Sequence, residues 1–286
     1  MDLIRETKFI MNKYNITASK SLGQNFLVDS EVVYGIVDSA EVSKDDLIIE
    51  IGPGLGTLTS VLLEKAGKVV CIELDKRMVN IISDRFSLYS NFEVINEDVL
   101  KVSLNNIIEK NLKENNLKQA KVVANLPYYI TTPIIMKLLE DRLNLSSITV
   151  MVQKEVAERL AEKPGGKESG AITYSINYFA DSEIVINVPN TSFIPAPEVN
   201  SAVIKLTLLK KPRVKVIDEP TLFKVIKIAF MQKRKTLANS LYNGKILEDK
   251  EKVEEMLEKL NIDLKIRAEK LTLEQFAQIA DYVKNT

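Results

Sequence analysis

Residues 47–75 read LIIEIGPGLGTLTSVLLEKAGKVVCIELD, and this stretch decides the fold. It contains a short apolar run, a glycine-rich turn, a segment with helical periodicity and a second short apolar run. A strand, a helix and a second strand in this order form a βαβ unit, whose two strands lie parallel. We therefore predict a parallel sheet built outward from this unit.

The same alternation continues toward the C-terminus. Three more apolar runs, each followed by an amphipathic stretch, occur at residues 92–95, 120–125 and 147–153. Two further strand-like segments follow at 181–188 and 199–209, and we expect them to close the sheet as an antiparallel pair. This pattern predicts an α/β fold with a Rossmann-like, doubly wound sheet.

The strand pattern ends near residue 214, and only helix-like segments follow it. We therefore expect two domains. The first is a ligand-binding α/β domain over residues 1–211, and the second is a small all-helical domain over residues 212–286.

Composition excludes several kinds of chemistry. The 286 residues include no histidine, which rules out a Ser-His-Asp triad, a histidine metal site and catalysis by a histidine base. A single cysteine, Cys71, allows no intrachain disulfide and no cysteine-cluster zinc site, so we expect no bound metal. We find no secretory signal and no run of about 18 apolar residues, so we expect a cytoplasmic protein without membrane contact.

The charge is balanced in total but not along the chain. Lys and Arg together number 39, as do Asp and Glu. Residues 205–250 carry 12 basic and 4 acidic side chains, whereas residues 1–204 carry 21 basic and 27 acidic ones. The basic stretch includes Lys233, Arg234 and Lys235. It is either a solvated linker and helix or a surface that binds a phosphate backbone.

A glycine-rich turn joins the first predicted strand to its helix and contains Gly52, Gly54 and Gly56. Such a turn lets a ligand approach the backbone, and Glu73 at the end of the second strand is placed to bind ribose hydroxyls. The spacing G-x-G-x-G lacks the last glycine of the dinucleotide fingerprint, which favours S-adenosylmethionine over NAD or FAD. A plain turn and a solvated Glu73 are the alternatives. Asp98, after the third strand, is either an acceptor for an adenine amino group or a helix N-cap.

Residues 125–128 read Asn-Leu-Pro-Tyr and follow the fourth strand, at the sheet edge where open α/β proteins bind ligands. An adenine N6 amine is a poor nucleophile because its lone pair is delocalised into the ring. The Asn125 side-chain oxygen and a main-chain carbonyl of Leu126–Pro127 can accept its two N–H bonds and direct the lone pair at a sulfonium methyl group. Tyr128 offers a ring for base stacking, unless it is a core residue of a proline turn. Phe193 is either the second face of that base pocket or an apolar anchor.

Seven motifs make the chain resemble a known family. In chain order they are K-S-L-G-Q-N-F-L (20–27), E-I-G-P-G-L-G-T-L-T (50–59), E-L-D (73–75), E-D-V-L (97–100), N-L-P-Y-Y-I-T-T-P (125–133), F-I-P-A-P-E-V-N-S-A-V (193–203) and R-A-E-K-L (267–271). From about residue 18 to 280, the chain resembles the bacterial 16S (small-subunit) ribosomal RNA adenine N6-dimethyltransferases. One departure is Ala268, where the family more often has proline, and it puts a helix boundary in doubt.

The resemblance implies an enzyme that transfers methyl groups from S-adenosylmethionine to N6 of two adjacent adenosines in the 3′-terminal hairpin of 16S rRNA. The substrate would be a pre-30S particle and the enzyme would be a monomer. The helical domain would bind the particle. The expected cofactor site consists of seven residues: Asn25, Leu27, Gly52, Gly54, Glu73, Asp98 and Asn125. The expected target-base pocket consists of residues 125–128 and Phe193.

Three other functions stay open at this point. One is a large-subunit rRNA adenine N6-methylase of the macrolide-resistance type, which shares Q-N-F-L and a related Asn-x-Pro-Tyr motif. Another is a non-catalytic ribosome-assembly factor on the same scaffold. A dehydrogenase is the most distant alternative.

Overall fold

The computed structural model describes residues 2–19, 23–166, 168–232 and 234–286. The chain forms two compact units. The first consists of Met1–Glu158 and Ser182–Leu208, and the second of Arg159–Asp181 and Leu209–Thr286. This division differs from the predicted domains, because Arg159–Asp181 groups with the C-terminal helices rather than with the sheet.

Seven strands form the main sheet: β2 (Asp46–Ile51), β3 (Lys68–Glu73), β4 (Phe92–Asn96), β5 (Gln119–Asn125), β6 (Leu145–Gln153), β7 (Ala180–Val188) and β9 (Ser201–Leu208). Their order is β4-β3-β2-β5-β6-β9-β7. The first five are paired in parallel, and β9 runs antiparallel to β6. The Rossmann-like fold is therefore confirmed, as is the pairing of the last two strands at one end of the sheet. A separate antiparallel pair joins β1 (Phe26–Leu27) to β8 (Phe193–Ile194).

Helices connect these strands. The first unit contains α1 (Leu3–Lys13), α2 (Ser30–Ser39), α3 (Thr57–Lys65), α4 (Lys76–Arg85), α5 (Leu104–Glu114), α6 (Thr131–Glu140) and most of α7 (Lys154–Ala161). The second contains α8 (Ala171–Phe179), α9 (Glu219–Phe230), α10 (Leu237–Asn243), α11 (Lys250–Lys259) and α12 (Leu273–Asn285). Short 3₁₀ turns lie at Tyr128–Ile130, Asn190–Ser192 and Ala268–Lys270. Within the described ranges, none of the helices combines the length and the apolar character of a membrane span.

The central strands are buried on both faces. All six residues of β2 are buried, and so are five of the seven in β5. Continuous apolar strands of this kind occur where helices cover both faces of a parallel sheet. The strand ends, rather than the strand faces, are therefore the places where polar side chains can reach a ligand.

An ion pair is buried near the amino ends of β2 and β5. The Asp46 carboxylate accepts hydrogen bonds from Lys121 Nζ at 2.9 Å, Gln119 Nε2 at 2.8 Å and the Ser43 N–H at 2.8 Å. Burial alone would raise the pKa of Asp46, but these hydrogen bonds outweigh it and hold the pKa below its ordinary value. Lys121 also donates to the Glu41 carbonyl at 2.7 Å, so both charges are well satisfied.

The departure at Ala268 has a local structural answer in the second unit. Ala268 begins a 3₁₀ turn in place of the usual proline, and the Tyr174 hydroxyl donates to the Leu271 carbonyl at 2.6 Å just beyond it. The next helix, α12, starts cleanly, because Thr272 and Gln275 form a reciprocal capping box. The helix boundary is thus defined without the proline.

The buried ion pair gives a prediction about stability. We expect Lys121→Met to lower the free energy of unfolding by about 3–5 kcal/mol, because the Asp46 carboxylate would stay buried without its cation. Urea unfolding followed by circular dichroism measures the change. Lys118→Met is the matched control, since Lys118 forms an exposed ion pair with Asp45 at 2.6 Å and should have little effect. Equal destabilisation by the two substitutions would contradict the assignment.

Candidate active site

The carboxyl ends of β2, β3 and β5 meet at one edge of the sheet, because these strands are parallel neighbours. A cleft at this edge encloses about 1040 Å³ of empty space, part of it open to solvent. Its lining comes from five segments of the first unit, within residues 23–27, 50–58, 72–74, 97–99 and 125–130. All seven residues predicted to bind the cofactor lie on this lining.

The glycine turn after β2 forms one wall of the cleft. Gly52 and Gly54 have φ angles of 67° and 57°, a conformation that glycine adopts at little cost. Gly56 is the N-cap of α3, and a Cβ atom on it would lie 2.5 Å from the Phe86 ring. The turn therefore requires glycine, and its main chain can lie directly against a ligand.

Glu73 ends β3 with its carboxylate at the cleft. Its Oε1 accepts from the Asp75 N–H at 2.8 Å, and its Oε2 lies 3.4 Å from the Gly54 nitrogen, which donates to it. Burial raises the pKa of Glu73, and these two hydrogen bonds partly oppose that effect. A carboxylate held in this way can accept hydrogen bonds from ribose hydroxyls.

Asp98 lies between β4 and α5, on the cleft lining. Its Oδ1 accepts from the Leu100 N–H at 3.0 Å, so the side chain caps a turn. The N-cap of α5 is Ser103, and the alternative of a helix N-cap at Asp98 is therefore wrong. The second carboxylate oxygen, Oδ2, lies 3.7 Å from Lys101 Nζ and stays available to a ligand.

The segment Gly23–Leu27 forms a second wall. Gln24 holds it in place, since its Nε2 donates to Asp75 Oδ2 at 3.1 Å and its Oε1 accepts from the Ser19 N–H at 2.9 Å. Phe26 and Leu27 follow as β1. The structure thus places Q-N-F-L beside the cleft, while Lys20, Ser21 and Leu22 of the same motif lie outside the described residues.

Asn125 ends β5 and points its side chain toward this wall. Its Nδ2 donates to the Asn25 carbonyl at 3.4 Å, so the Oδ1 atom of this cleft-lining residue is left as the acceptor. The Pro127 carbonyl already accepts from the Ile130 N–H at 3.3 Å and from the Thr131 hydroxyl at 3.2 Å. Of the two carbonyls considered from the sequence, the one on Leu126 is therefore the better second acceptor.

Tyr128 follows on a 3₁₀ turn, and its ring is half-buried on the cleft lining. Its hydroxyl lies 2.5 Å from the Ser201 hydroxyl, and burial raises its pKa. Phe193 is placed differently from the expectation of a facing ring. It is 3% exposed, packs in the core of the first unit and is not among the described residues that line the cleft. The physical reason is the β1–β8 ladder, which pairs Phe193 with Leu27.

Several residues that line the cleft were not predicted from the sequence. Leu74 is 53% exposed beside Glu73, and Tyr129 is 54% exposed beside Tyr128. For Leu74 the sequence did hold a signal in its position, directly after Glu73 and at the edge where open α/β sheets bind ligands. Tyr129 had no such signal, since its exposure depends on the 3₁₀ turn that carries it.

Glu50 was also missed, although it stands just before the glycine turn. It is 1% exposed, and burial raises its pKa to about 7. Its Oε2 accepts from the Thr59 hydroxyl at 2.7 Å and from the Cys71 thiol at 3.4 Å. Cys71 is buried as predicted, and burial raises the pKa of its thiol well above the ordinary value. Among the described residues, no group of three or more Cys, Asp or Glu side chains has the arrangement of a metal site.

Comparison with known proteins identifies the family. The family model for ribosomal RNA adenine dimethylase matches residues 15–285. The chain belongs to this family. It is therefore an adenine methyltransferase acting on ribosomal RNA, and its methyl donor is S-adenosylmethionine.

Individual relatives and solved structures agree. A ribosomal RNA small subunit methyltransferase A from Lachnoclostridium phytofermentans is 50% identical over 98% of this chain and 96% of its own. One from Bacillus licheniformis is 47% identical over 97% and 95%. A dimethyladenosine transferase structure from Plasmodium falciparum is 27% identical, with a TM-score of 0.74 over 89% of this chain and 95% of that one. The 23S rRNA methyltransferase ErmE, 24% identical with a TM-score of 0.66 over 91% and 100%, shares the fold.

The cleft suits this cofactor on structural grounds. The main chain of the glycine turn suits the amino-acid part of the cofactor. The Glu73 carboxylate suits the ribose, and the exposed side chain of Leu74 suits the purine ring. When bound, the cofactor supplies a methyl group on a positively charged sulfur. The lining therefore has groups of the chemistry that each of these three parts requires.

The environment of Glu50 gives a prediction about pH. The pKa of Glu50 in the folded protein is about 7, above the ordinary 4.5. Between pH 4.5 and 7, Glu50 is therefore protonated in the folded state and ionised in the unfolded state. This group therefore lowers the stability as the pH rises from about 4.5 to 7. In Glu50→Gln that loss is absent, so the stability of the variant relative to the parent should increase by about 1–3 kcal/mol over this range. Urea unfolding at pH 5, 6, 7 and 8 measures it, and a constant difference would contradict the prediction.

Proposed function

We propose that the protein methylates N6 of two adjacent adenosines in the 3′-terminal hairpin of 16S rRNA, converting both to dimethyladenosine. The observation that carries this proposal is the pair of acceptors at the end of β5, Asn125 Oδ1 and the Leu126 carbonyl, next to a cleft suited to S-adenosylmethionine. The names of the relatives, which are small-subunit methyltransferases, favour this substrate over a large-subunit site.

The chemistry follows from what the two acceptors do to the amine. When Asn125 and Leu126 each accept one N–H bond, the nitrogen is drawn from planar toward tetrahedral geometry, so its lone pair is less delocalised into the ring and can be aligned with the methyl group. Aligned acceptors of this kind stabilise the positive charge that develops on nitrogen. Neither oxygen is basic enough to keep the proton at neutral pH, so the proton passes to solvent at the open side of the cleft. No histidine is needed.

A target base must leave its stack to reach this position. Tyr128 is the stacking surface that we assign to it, with a contribution of about 1–3 kcal/mol. Phe193 is retained as a proposed neighbour of the base. Because the Phe193 side chain is buried in the core, it must move out of the core to contact the base.

The cofactor contacts that we propose are those of the lining. Gly52 and Gly54 would border the amino-acid part, Glu73 would bind the ribose, and Asp98 would accept from the adenine amine. Asn25 and Leu27 would cover the bound molecule from the N-terminal segment.

Mapping of the product tests both the function and the role of Asn125. The parent protein, incubated with unmethylated small subunits and S-adenosylmethionine, should give two adjacent dimethyladenosines by mass spectrometry of the 16S rRNA. Asn125→Ala should reduce the methylation rate by at least about 100-fold while still binding S-adenosylmethionine, because the alignment of the amine is lost and the other residues of the cofactor site remain. Normal turnover in this variant would overturn the assigned role.

A parallel incubation with large-subunit RNA separates the alternative functions. Methylation of the large-subunit RNA instead would identify a macrolide-resistance type of methylase. Absence of methyl transfer by the parent, together with binding to the particle, would identify a non-catalytic assembly factor.

We further propose that the second unit binds RNA of a pre-30S particle, and that the protein acts as a cytoplasmic monomer. The support for RNA binding is the basic stretch within residues 205–250. Arg234 and Lys235 are exposed in the turn between α9 and α10, and Lys233 lies outside the described residues. Gln232 has two local hydrogen bonds: its carbonyl accepts from the Lys235 N–H at 2.9 Å, and its Oε1 accepts from Asn243 Nδ2 at 3.1 Å.

Charge reversal tests this surface. Changing Lys233, Arg234 and Lys235 to Glu should weaken binding to the small subunit and reduce the slope of log affinity against log salt by about 2–3, one unit for each lost phosphate contact. Filter binding at several salt concentrations measures both effects. The matched control reverses Lys252, Lys259 and Lys265, which lie outside the basic stretch, and there the same change in net charge should leave the slope nearly unchanged. An unaltered slope in the first variant would place the RNA contact elsewhere.

A further inference from the structure

We propose that Ser201 is a positioning residue for the methyl transfer, because its hydroxyl holds the phenol of Tyr128 and so fixes the ring against which the target adenine stacks. This inference rests on the proposed function, which places the adenine at Tyr128. It adds a residue far along the chain, 73 positions after the tyrosine, to the residues that control the reaction.

The topology of the sheet brings Ser201 to this position. Ser201 is the first residue of β9, and β9 runs antiparallel to β6. The start of β9 therefore lies at the edge where the parallel strands end. In the ladder Ser201 is paired with Gln153, the last residue of β6, while Asn125 at the end of β5 is paired with Met151. One continuous sheet thus carries both the amine acceptor and the support for the ring.

The local geometry shows why the ring needs such a support. Tyr128 lies on a three-residue 3₁₀ turn outside the sheet, and the next residue, Tyr129, is more than half exposed. Ser201 is 0% exposed and held by strand pairing on β9. The phenol oxygen lies on the long axis of the ring, so its bond to Ser201, at 2.5 Å, fixes the far end of the ring. Sites held by a strand are more precise than sites held by a turn alone.

Chemistry also favours serine at this place. The Tyr128 hydroxyl is shielded from solvent, and a buried hydroxyl without a partner is unfavourable. The two hydroxyls satisfy each other, and either oxygen can act as the donor. Removal of one of them leaves the other unpaired, so the ring would shift toward another partner and away from its stacking position.

A double-mutant cycle tests the proposal. Ser201→Ala and Tyr128→Phe each remove the same hydrogen bond and keep the aromatic ring. Each should lower kcat about three- to tenfold, the range expected for one hydrogen bond, with the KM for the small subunit and the affinity for S-adenosylmethionine unchanged. The double variant should be no slower than the slower single variant, because only one interaction is removed. Independent, multiplicative losses would overturn the proposal, as would a parental kcat in Ser201→Ala.

Two controls make the result specific. Ser147→Ala removes another buried serine hydroxyl, at the opposite end of the same β6–β9 ladder, and should leave kcat unchanged. Thermal unfolding of each variant checks the fold, and if Ser201→Ala does not fold, the kcat of Tyr128→Phe decides the outcome alone. Mapping the methylated nucleotides made by the parent protein tests the proposed function separately. If the parent makes the two dimethyladenosines and Tyr128→Phe has the same kcat as the parent, only the role of Ser201 is refuted.

Discussion

The parallel pairing of β2 with both β3 and β5 is the constraint on which the site depends. Because these strands share a direction, their carboxyl ends reach the same edge, and residues 52, 73 and 125 arrive there from distant parts of the sequence. The pairing itself is stabilised by apolar residues buried on both faces and, at the amino ends of β2 and β5, by the buried pair of Lys121 and Asp46. Structural charges and site charges thus lie at opposite ends of the same strands.

The sequence of this protein allowed the strand ends to be predicted well. Short β-branched runs define β2 to β6, and a residue assigned to the cleft, such as Glu73 or Asn125, stands at or just after the end of each of the first four. In a parallel sheet the side of the site follows directly from the direction of the strands. For this reason Gly52, Gly54, Glu73, Asp98 and Asn125 could be placed together without knowledge of a single long-range contact, whereas Asn25 and Leu27 were expected only from the family resemblance.

Features that depend on packing between distant segments could not be predicted in this way. From the sequence, Phe193 was either one face of the base pocket or an apolar anchor, and its burial becomes clear only from its pairing with Leu27 in a two-residue ladder. Ser201 showed no local signal, because its relation to Tyr128 arises only when β9 reverses beside β6. The boundary between the units was misplaced for a similar reason. Arg159–Asp181 continues the sheet region along the chain, but its contacts are with the C-terminal helices.

The interleaving of the two units has a consequence for synthesis of the chain. Residues 182–208 of the first unit leave the ribosome only after residues 159–181 of the second, so neither unit is a continuous stretch of nascent chain. Until β9 emerges, β6 is an open sheet edge with unpaired backbone groups, a site at which chains can associate wrongly. Completion of the catalytic unit must therefore wait until about three quarters of the protein has been made, and a chain truncated before β9 would lack both the strand that pairs with β6 and Ser201.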